Sequence, residues 1–488
     1  MDITKRAAPA QPIIDFPAPY IVQFYIMSEQ SKEARIMSDF AQLPLEALLG
    51  GGFDCECSIH HQTDLRMFKC GAGAINFLPS VIEELGAKKP LLVCDENTYQ
   101  AAGKRALEIL QKAKVDCDLY QFPMAHVEPD EVAVGALTMA LLPEHDLLIA
   151  VGSGVINDVC KVVGFAANRM QMSLATAPSM DGYASNSSSM HVDGVKVTLY
   201  NKCPLAIIAD TDILKEAPMR MLWSGLGDML AKYISICDWR IAHLVTNEYY
   251  CPHVAALIRR SLQKCVEHAD KLDQRDPDVI AAVTEGLVLS GVAMSFAQVS
   301  RPASGLEHYF SHMWEMMAME RHEKADFHGI QVGVGTMITL RLYDWIKKIT
   351  PDRATAEAYM SKFNQTEWDE MVIRIFGSNA PQIFAMEKKT NKNDPAAHAR
   401  RLDKILSSWD DILGIIADEL PESGQIAALM SQLGMPMYPR DLGISDRDTM
   451  DAYTGAREIR DKYQCNNLLW DLGLADAARE EVGRIVEA

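Results

Sequence analysis

The residues best suited to chemistry stand in Arg301-Pro-Ala-Ser-Gly-Leu-Glu-His-Tyr-Phe-Ser-His312 and in His328-Gly-Ile-Gln-Val-Gly333, where three imidazoles gather in an apolar, Met-rich stretch. His308 and His312 are four residues apart, so on a helix both rings project from one face. Asp228, in Ser224-Gly-Leu-Gly-Asp-Met-Leu-Ala-Lys232, offers a carboxylate expected in the first turn or two of an apolar helix. One carboxylate with two or three histidines makes a borderline-soft site for a divalent metal and leaves a coordination position for substrate. A lone histidine on an apolar face is ordinarily a packed core residue, and on spacing alone the two readings stand even. His308, His312 and His328 lie near glycine or serine, which allow close approach of a ligand, whereas His243, His268 and His322 read as core or surface.

Two other stretches are chemically loaded. Val151-Gly-Ser-Gly154-Val-Ile-Asn-Asp158-Val-Cys-Lys161 sets a tight glycine turn directly ahead of a helix. Backbone N–H groups there can close on a pyrophosphate, and a helix N-terminus adds about half a positive charge. The usual dinucleotide fingerprint has a third glycine where this chain has Asn157, so the stretch does not match it, and a bare glycine turn is as often structural. Thr176-Ala-Pro-Ser179-Met-Asp181-Gly-Tyr-Ala-Ser185-Asn-Ser-Ser-Ser189 reads as a polar loop offering donors and acceptors to ribose, phosphate or a polyol. Asp-Gly and Ser are also ordinary turn residues, and what favours a ligand is the loop's place beside the glycine turn.

The surrounding pattern supplies a scaffold. Short apolar runs at 91–94, 115–122, 147–151 and 173–177 alternate with helix-like segments ending near 113, then at about 129–142 and 155–167. Such alternation predicts a parallel sheet wound by right-handed crossovers, with ligands beyond the carboxyl ends of its strands. A hairpin is expected over 192–200, turning at Asp193-Gly194, and a further strand at 205–209. After Asp212 strand signals nearly vanish, and the chain reads as helices, for example 278–299 and 450–472, with 388–394 as a solvated charged loop. The expectation is an N-terminal α/β domain over 37–213, an all-helical C-terminal domain over 214–488, and an extension, 1–36, with no assigned role.

At 488 residues the chain exceeds one hydrophobic core. A net charge of −19 argues against a nucleic-acid surface, since phosphate binding needs a clustered basic field. No run approaches the eighteen apolar residues of a membrane helix, and no signal-peptide core is found, so a cytoplasmic location is expected. The eleven cysteines are irregularly spread, as for free thiols in a reducing compartment. Cys55-Glu-Cys57-Ser-Ile-His60 suggests part of a zinc site, but no second pair at zinc-ribbon spacing follows, and it is read as a strand entering the first domain.

In combination, Gly-Ser-Gly-Val-Ile-Asn-Asp-x-x-Lys, Ser-Met-Asp-Gly-Tyr-Ala-Ser, Gly-Leu-Gly-Asp-x-x-Ala-Lys, Arg-Pro-Ala-Ser-Gly-x-Glu-His-x-x-Ser-His and His-Gly-x-Gln-Val-Gly carry a resemblance. From about Cys55 onward the chain resembles sn-glycerol-1-phosphate dehydrogenases of the bacterial arabinose-operon type, within the glycerol dehydrogenase, iron-containing alcohol dehydrogenase and dehydroquinate synthase superfamily. The resemblance implies a Rossmann-like sheet joined to a helical domain. It implies NAD or NADP held by Asp95, by Gly154, Val155, Ile156, Asn157 and Asp158, by Thr176, Ala177, Pro178 and Ser179, and by Ser185. It also implies one divalent metal, zinc or nickel with iron as a further option, held by Asp228, His308 and His328. Asp181, Asp228 and His312 would touch the substrate, with Asp181 and His312 in catalytic roles, and a homodimer is expected. The implied reaction interconverts dihydroxyacetone phosphate and sn-glycerol 1-phosphate by hydride transfer. Alternatives are a dehydrogenase of another small polyol or alcohol, a dehydroquinate synthase-like enzyme, or a nonenzymatic metabolite-binding relative. The first two differ in substrate, and the third would be expected to have lost metal ligands.

Overall fold

Leu147-Leu-Ile-Ala-Val151 is apolar on both sides of its pleat, the composition of a strand covered on both faces. The computed structural model describes residues 40–123, 127–192 and 195–487, which fall in one unit, Ile36–Ala488. The expected extension 1–36 and the turn residues Asp193 and Gly194 lie outside the described residues.

In chain order the strands are β1 (Gly52–Asp54), β2 (His60–Gln62), β3 (Met67–Gly71), β4 (Pro90–Cys94), β5 (Asp118–Gln121), β6 (Leu147–Gly152), β7 (Met170–Ala175), β8 (Ser187–Val192), β9 (Val195–Tyr200) and β10 (Ala206–Asp210). Six of them make the expected parallel sheet in the order β3-β10-β7-β6-β4-β5. Helices α1 (Leu78–Leu85), α2 (Lys104–Lys112), α3 (Glu131–Ala140) and α4 (Gly154–Ala166) form the crossovers. Leu147, Ile149 and Val151 pack on one face with Leu78, Ile82 and Ala106, and Leu148 and Ala150 pack on the other with Val159 and Val163. The chain runs outward from β4 to β5 and then returns to lay β6 on the opposite side of β4. This reversal opens a crevice between the ends of β4 and β6, where such sheets bind ligands.

After β10 no strand follows among the described residues. The helices that matter for the site are α5 (Met219–Leu230), α6 (Lys232–Thr246), α7 (Pro252–Val266), α8 (Pro277–Ala297), α9 (Leu306–Glu320) and α10 (His328–Ile346). Their shared core includes Leu226, Met229, Trp239, Phe296, Phe310 and Tyr343. On length and composition α8 could cross a membrane, against the expectation of no such run, yet most of it is buried in the protein interior.

Three local expectations are corrected. Ser187–Ser189 belong to β8 rather than to a loop, because they pair with Thr198–Tyr200 of β9 in an antiparallel ladder longer than the predicted hairpin. Lys388–Thr390 end the helix Ala380–Thr390, where lysines favour the negative helix terminus, so only the remainder of 388–394 turns. Cys55–Ser58 is the turn between β1 and β2 and not a strand.

Candidate active site

Glycines set the framework of the site. A side chain on Gly225 would overlap the Pro178 carbonyl, one on Gly227 the Gly329 carbonyl, and one on Gly329 the Ser224 carbonyl. The Gly-Leu-Gly and His-Gly motifs therefore exist so that α5 and α10 can touch backbone to backbone. That contact brings Asp228 of α5 towards His328 of α10. Asp228 occupies the last turn of α5 and not the first turns expected, since the helix already begins at Met219.

His308 and His312 do stand one turn apart on α9, and His328 is the first residue of α10. The ring centroids are 5.3 Å apart for His308 and His328, 5.8 Å for His312 and His328, and 6.4 Å for His308 and His312. His308 Nδ1 lies 2.7 Å from Glu307 Oε1, and because a carboxylate only accepts, Nδ1 carries the proton. Nε2 then faces Asp228 Oδ1 at 3.6 Å. Burial opposes charge on His308, but the Asp228 and Glu307 carboxylates outweigh it and lift its pKa to about 9.

Asp228 is fully buried, which by itself would raise its pKa, yet Lys232 and then His308 hold its carboxyl well below the usual range. Lys232 Nζ donates to Asp228 Oδ1 and to Asp181 Oδ2, both at 2.8 Å. Asp181 Oδ2 also accepts from Ser290 Oγ of α8 at 2.8 Å, and the Asp181 N–H donates to Asp228 Oδ2 at 2.9 Å. The loop after β7 is thereby tied to three helices. His312 Nδ1 and His328 Nδ1 each lie 3.5 Å from the Glu315 carboxylate, which also pairs with Lys196 of β9. Desolvation pushes the His312 pKa down to about 3 despite Glu315, so its imidazole is neutral near pH 7.

The donor set suits a divalent cation. Asp228 Oδ1 and His308 Nε2 face each other at the separation of two ligands on one ion, about 3.4 Å for a tetrahedral centre. Glu307 fixes the His308 tautomer as a metal-bound histidine requires. Glu307 Oε2 is buried without a hydrogen-bond partner, although Oε1 also accepts from the Gly305 N–H.

On the sheet side, Gly152 pairs with Ala175, so the glycine turn and the Thr176 loop emerge together. Ser153 is the N-cap of α4 and makes no side-chain cap, its hydroxyl instead bonding Ser179 Oγ at 2.5 Å. Gly154 and Val155 thus open α4 with N–H groups that no cap satisfies. Asp95 lies across the crevice at the end of β4, and its Oδ1 accepts from Thr98 N at 2.7 Å in a capping box. Thr176, Ala177, Pro178 and Ser179 are buried, and the Ser179 carbonyl accepts from Ser224 Oγ of α5.

Several expected cofactor residues face inward. Ile156 is in the core beneath the sheet, and the Asn157 side chain is buried among Ser173, Gln171 and Gly182. Asp158 pairs with Lys161 at 2.9 Å and accepts from Ser189 N. Ser185 Oγ bonds Lys161 Nζ at 3.2 Å and Ser187 O at 2.9 Å. These side chains shape the turn from behind.

Comparison with known proteins fits this arrangement. Residues 69–218 match the family of iron-containing alcohol dehydrogenases. The chain is 33% identical over 424 residues to the glycerol-1-phosphate dehydrogenase [NAD(P)+] of Bacillus licheniformis, covering 86% of this chain and 92% of that protein. The chain belongs to the glycerol-1-phosphate dehydrogenase family. The Halalkalibacterium halodurans member is 30% identical over 413 residues, 84% of this chain and 93% of that one. Among solved structures, glycerol dehydrogenase from Schizosaccharomyces pombe has the same fold, with a TM-score of 0.58 at 14% identity over 87% of this chain and 90% of that one.

Beside the site residues that the resemblance implies, the structure adds Lys232, Glu307, Ser290, Glu315 and Lys196. Lys232 was legible as the i+4 partner of Asp228 on a buried helix. Glu307 had a weaker signal, an acid directly before a buried histidine, and Ser290 had none.

Proposed function

We propose that the chain catalyses the NAD(P)-dependent, metal-dependent interconversion of dihydroxyacetone phosphate and sn-glycerol 1-phosphate. One observation carries this reading: Asp228 faces His308, with the His328 ring 5.3 Å from that of His308, beside Asp181 on the loop that leaves the sheet next to the uncapped start of α4. The names of the relatives support the substrate and the cofactor.

Asp228, His308 and His328 would hold the cation, and Gly154, Val155 and the Asp95 side of the crevice would receive the nicotinamide cofactor. When bound, the cation supplies Lewis acidity at the substrate oxygen, and the nicotinamide supplies or accepts the hydride. Glu307 keeps His308 Nε2 turned inward. Lys232 donates to both Asp181 and Asp228, and with His308 it keeps the Asp228 carboxylate ionised inside the protein. His312, neutral near pH 7, has a lone pair with which to accept a hydrogen bond from a substrate hydroxyl and orient it. The backbone N–H groups at the start of α4 favour the cofactor's phosphates. Zinc or nickel suits the mixed nitrogen and oxygen donor set, and eleven thiols among the described residues, all free, suit a reducing cytoplasm.

A substrate panel of dihydroxyacetone phosphate, dihydroxyacetone and other small ketones tests the proposal, run with NADH and NADPH after reconstitution with zinc, nickel or iron. The reading expects metal-dependent oxidation of NAD(P)H with the phosphorylated ketone. A preference for an unphosphorylated substrate would overturn it.

A further inference from the structure

Away from the active site, three donors of the β1–β2 hairpin meet a fourth that is remote in sequence. Cys55 and Cys57 come from the β1–β2 turn, His61 from β2, and Cys251 from the N-cap of α7. Their ligand atoms all lie within 4.8 Å of one another. No second pair at zinc-ribbon spacing is needed for such a group: the histidine in reach is His61, not His60, and the third thiol comes from 190 residues further along.

Three of the six edges come close to those of a tetrahedron around one ion. With zinc–sulfur bonds of about 2.3 Å and a zinc–nitrogen bond of about 2.0–2.1 Å, sulfur–sulfur edges are about 3.8 Å and nitrogen–sulfur edges about 3.6 Å. The Cys55 and Cys251 sulfurs are 3.8 Å apart, and His61 Nε2 lies 3.5 Å from Cys251 Sγ and 3.3 Å from Cys57 Sγ. A disulfide would need about 2.0 Å.

The histidine is set for the task. His61 is fully buried, and its Nδ1 lies 2.7 Å from the Phe296 carbonyl at the end of α8. A carbonyl cannot donate, so Nδ1 carries the proton, and the Nε2 lone pair is the one turned to the sulfurs. Ligating histidines are held in this way by a backbone acceptor on the second nitrogen. The Tyr249 hydroxyl stands 3.5 Å from Cys57 Sγ, placed to donate to a thiolate.

We propose that Cys55, Cys57, His61 and Cys251 form a second metal centre, a closed structural zinc site that fastens the β1–β2 hairpin to the start of α7. Four protein ligands leave no position for substrate, which separates it in kind from the Asp228 centre. It holds together segments of chain that loop closure alone would otherwise leave free.

The test uses the full-length chain, loaded with zinc or with cobalt. Cobalt-loaded wild type is expected to show thiolate-to-metal charge-transfer absorption in the near ultraviolet, which an oxygen and nitrogen site cannot give. Asp228→Ala is expected to keep this band, while Cys251→Ser and Cys57→Ser lose it together with one equivalent of zinc per chain. The wild-type spectrum needs no variant to fold. Absence of the band in wild type, a Cys55–Cys251 disulfide in the non-reduced chain, or an unchanged zinc content in Cys251→Ser each overturns the site. None of these outcomes bears on the dehydrogenase reading, whose own test is turnover.

Discussion

Lys232 Nζ lies 2.8 Å from Asp228 Oδ1, four residues along the chain, and neither side chain meets solvent. The same ammonium serves Asp181, so one cation is shared by two carboxylates from different parts of the fold. Removing one partner of such a pair leaves charge stranded in the interior.

Lys232→Met is accordingly expected to destabilise the metal-free protein by about 3–5 kcal/mol. Urea unfolding of wild type and variant, both stripped of metal, measures this. A loss below about 1 kcal/mol would mean that the two carboxylates find other compensation in the folded state.

His328 and His312 stack at 5.8 Å but are assigned different tasks. His328→Ala is expected to lose the active-site metal. His312→Ala is expected to keep it while turnover falls about 100- to 10,000-fold. Elemental analysis beside steady-state rates decides the matter, and a metal-free active site in His312→Ala would exchange the two roles.

A Cβ at Gly154 would meet only the Met180 side chain, at an ordinary 3.5 Å. Gly154→Val is thus expected to fold and to keep its metal. NADH affinity is expected to fall at least about tenfold, or 1.4 kcal/mol, because the added methyls stand where the cofactor's phosphates must approach. Unchanged affinity in a fluorescence titration would leave the turn with a structural role alone.

Asp238 gives the fold a pH dependence. It accepts from Leu306 N at the start of α9, from Cys465 N and from the Tyr343 hydroxyl, and burial, joined by the neighbouring Glu307 charge, raises its pKa to about 7. An unfolded aspartate titrates near about 3.9. Between these values the folded state binds more protons, so stability from this group is complete in acid and is lost as pH rises through about 7. Asp238→Asn is expected to remove that slope, so the stability of the variant relative to wild type should increase from pH about 4 to pH about 7. Urea midpoints across this range test it, and parallel curves would refute it.

Much of the fold was legible because short apolar strands alternating with helices admit few arrangements. Leu91–Cys94 and Leu147–Val151 could be placed from pattern alone. The spacing of His308 and His312 located half of the site. What the sequence concealed was of two kinds. Asn157 at the start of a helix and Ser185 in a polar loop look available to a ligand, but burial turns them to Ser173, Gln171 and Lys161, and burial depends on what packs above them. Cys251 and Ser290 act through partners more than a hundred residues distant, a relation that no local pattern carries. The glycines of α5 and α10 were visible as motifs, but their reason, two backbones in contact, needed both helices in place.

The place of β3 has a consequence for how the chain is made. Its register pairs Met67 with Ala206 of β10, so during synthesis the first strand of the sheet leaves the ribosome roughly 140 residues ahead of its neighbour. The bond between hairpin and α7 must wait longer still, for Cys251. A nascent chain paused before β10 therefore presents a bare apolar edge, and the outermost strand at that side of the sheet is the last to be sealed.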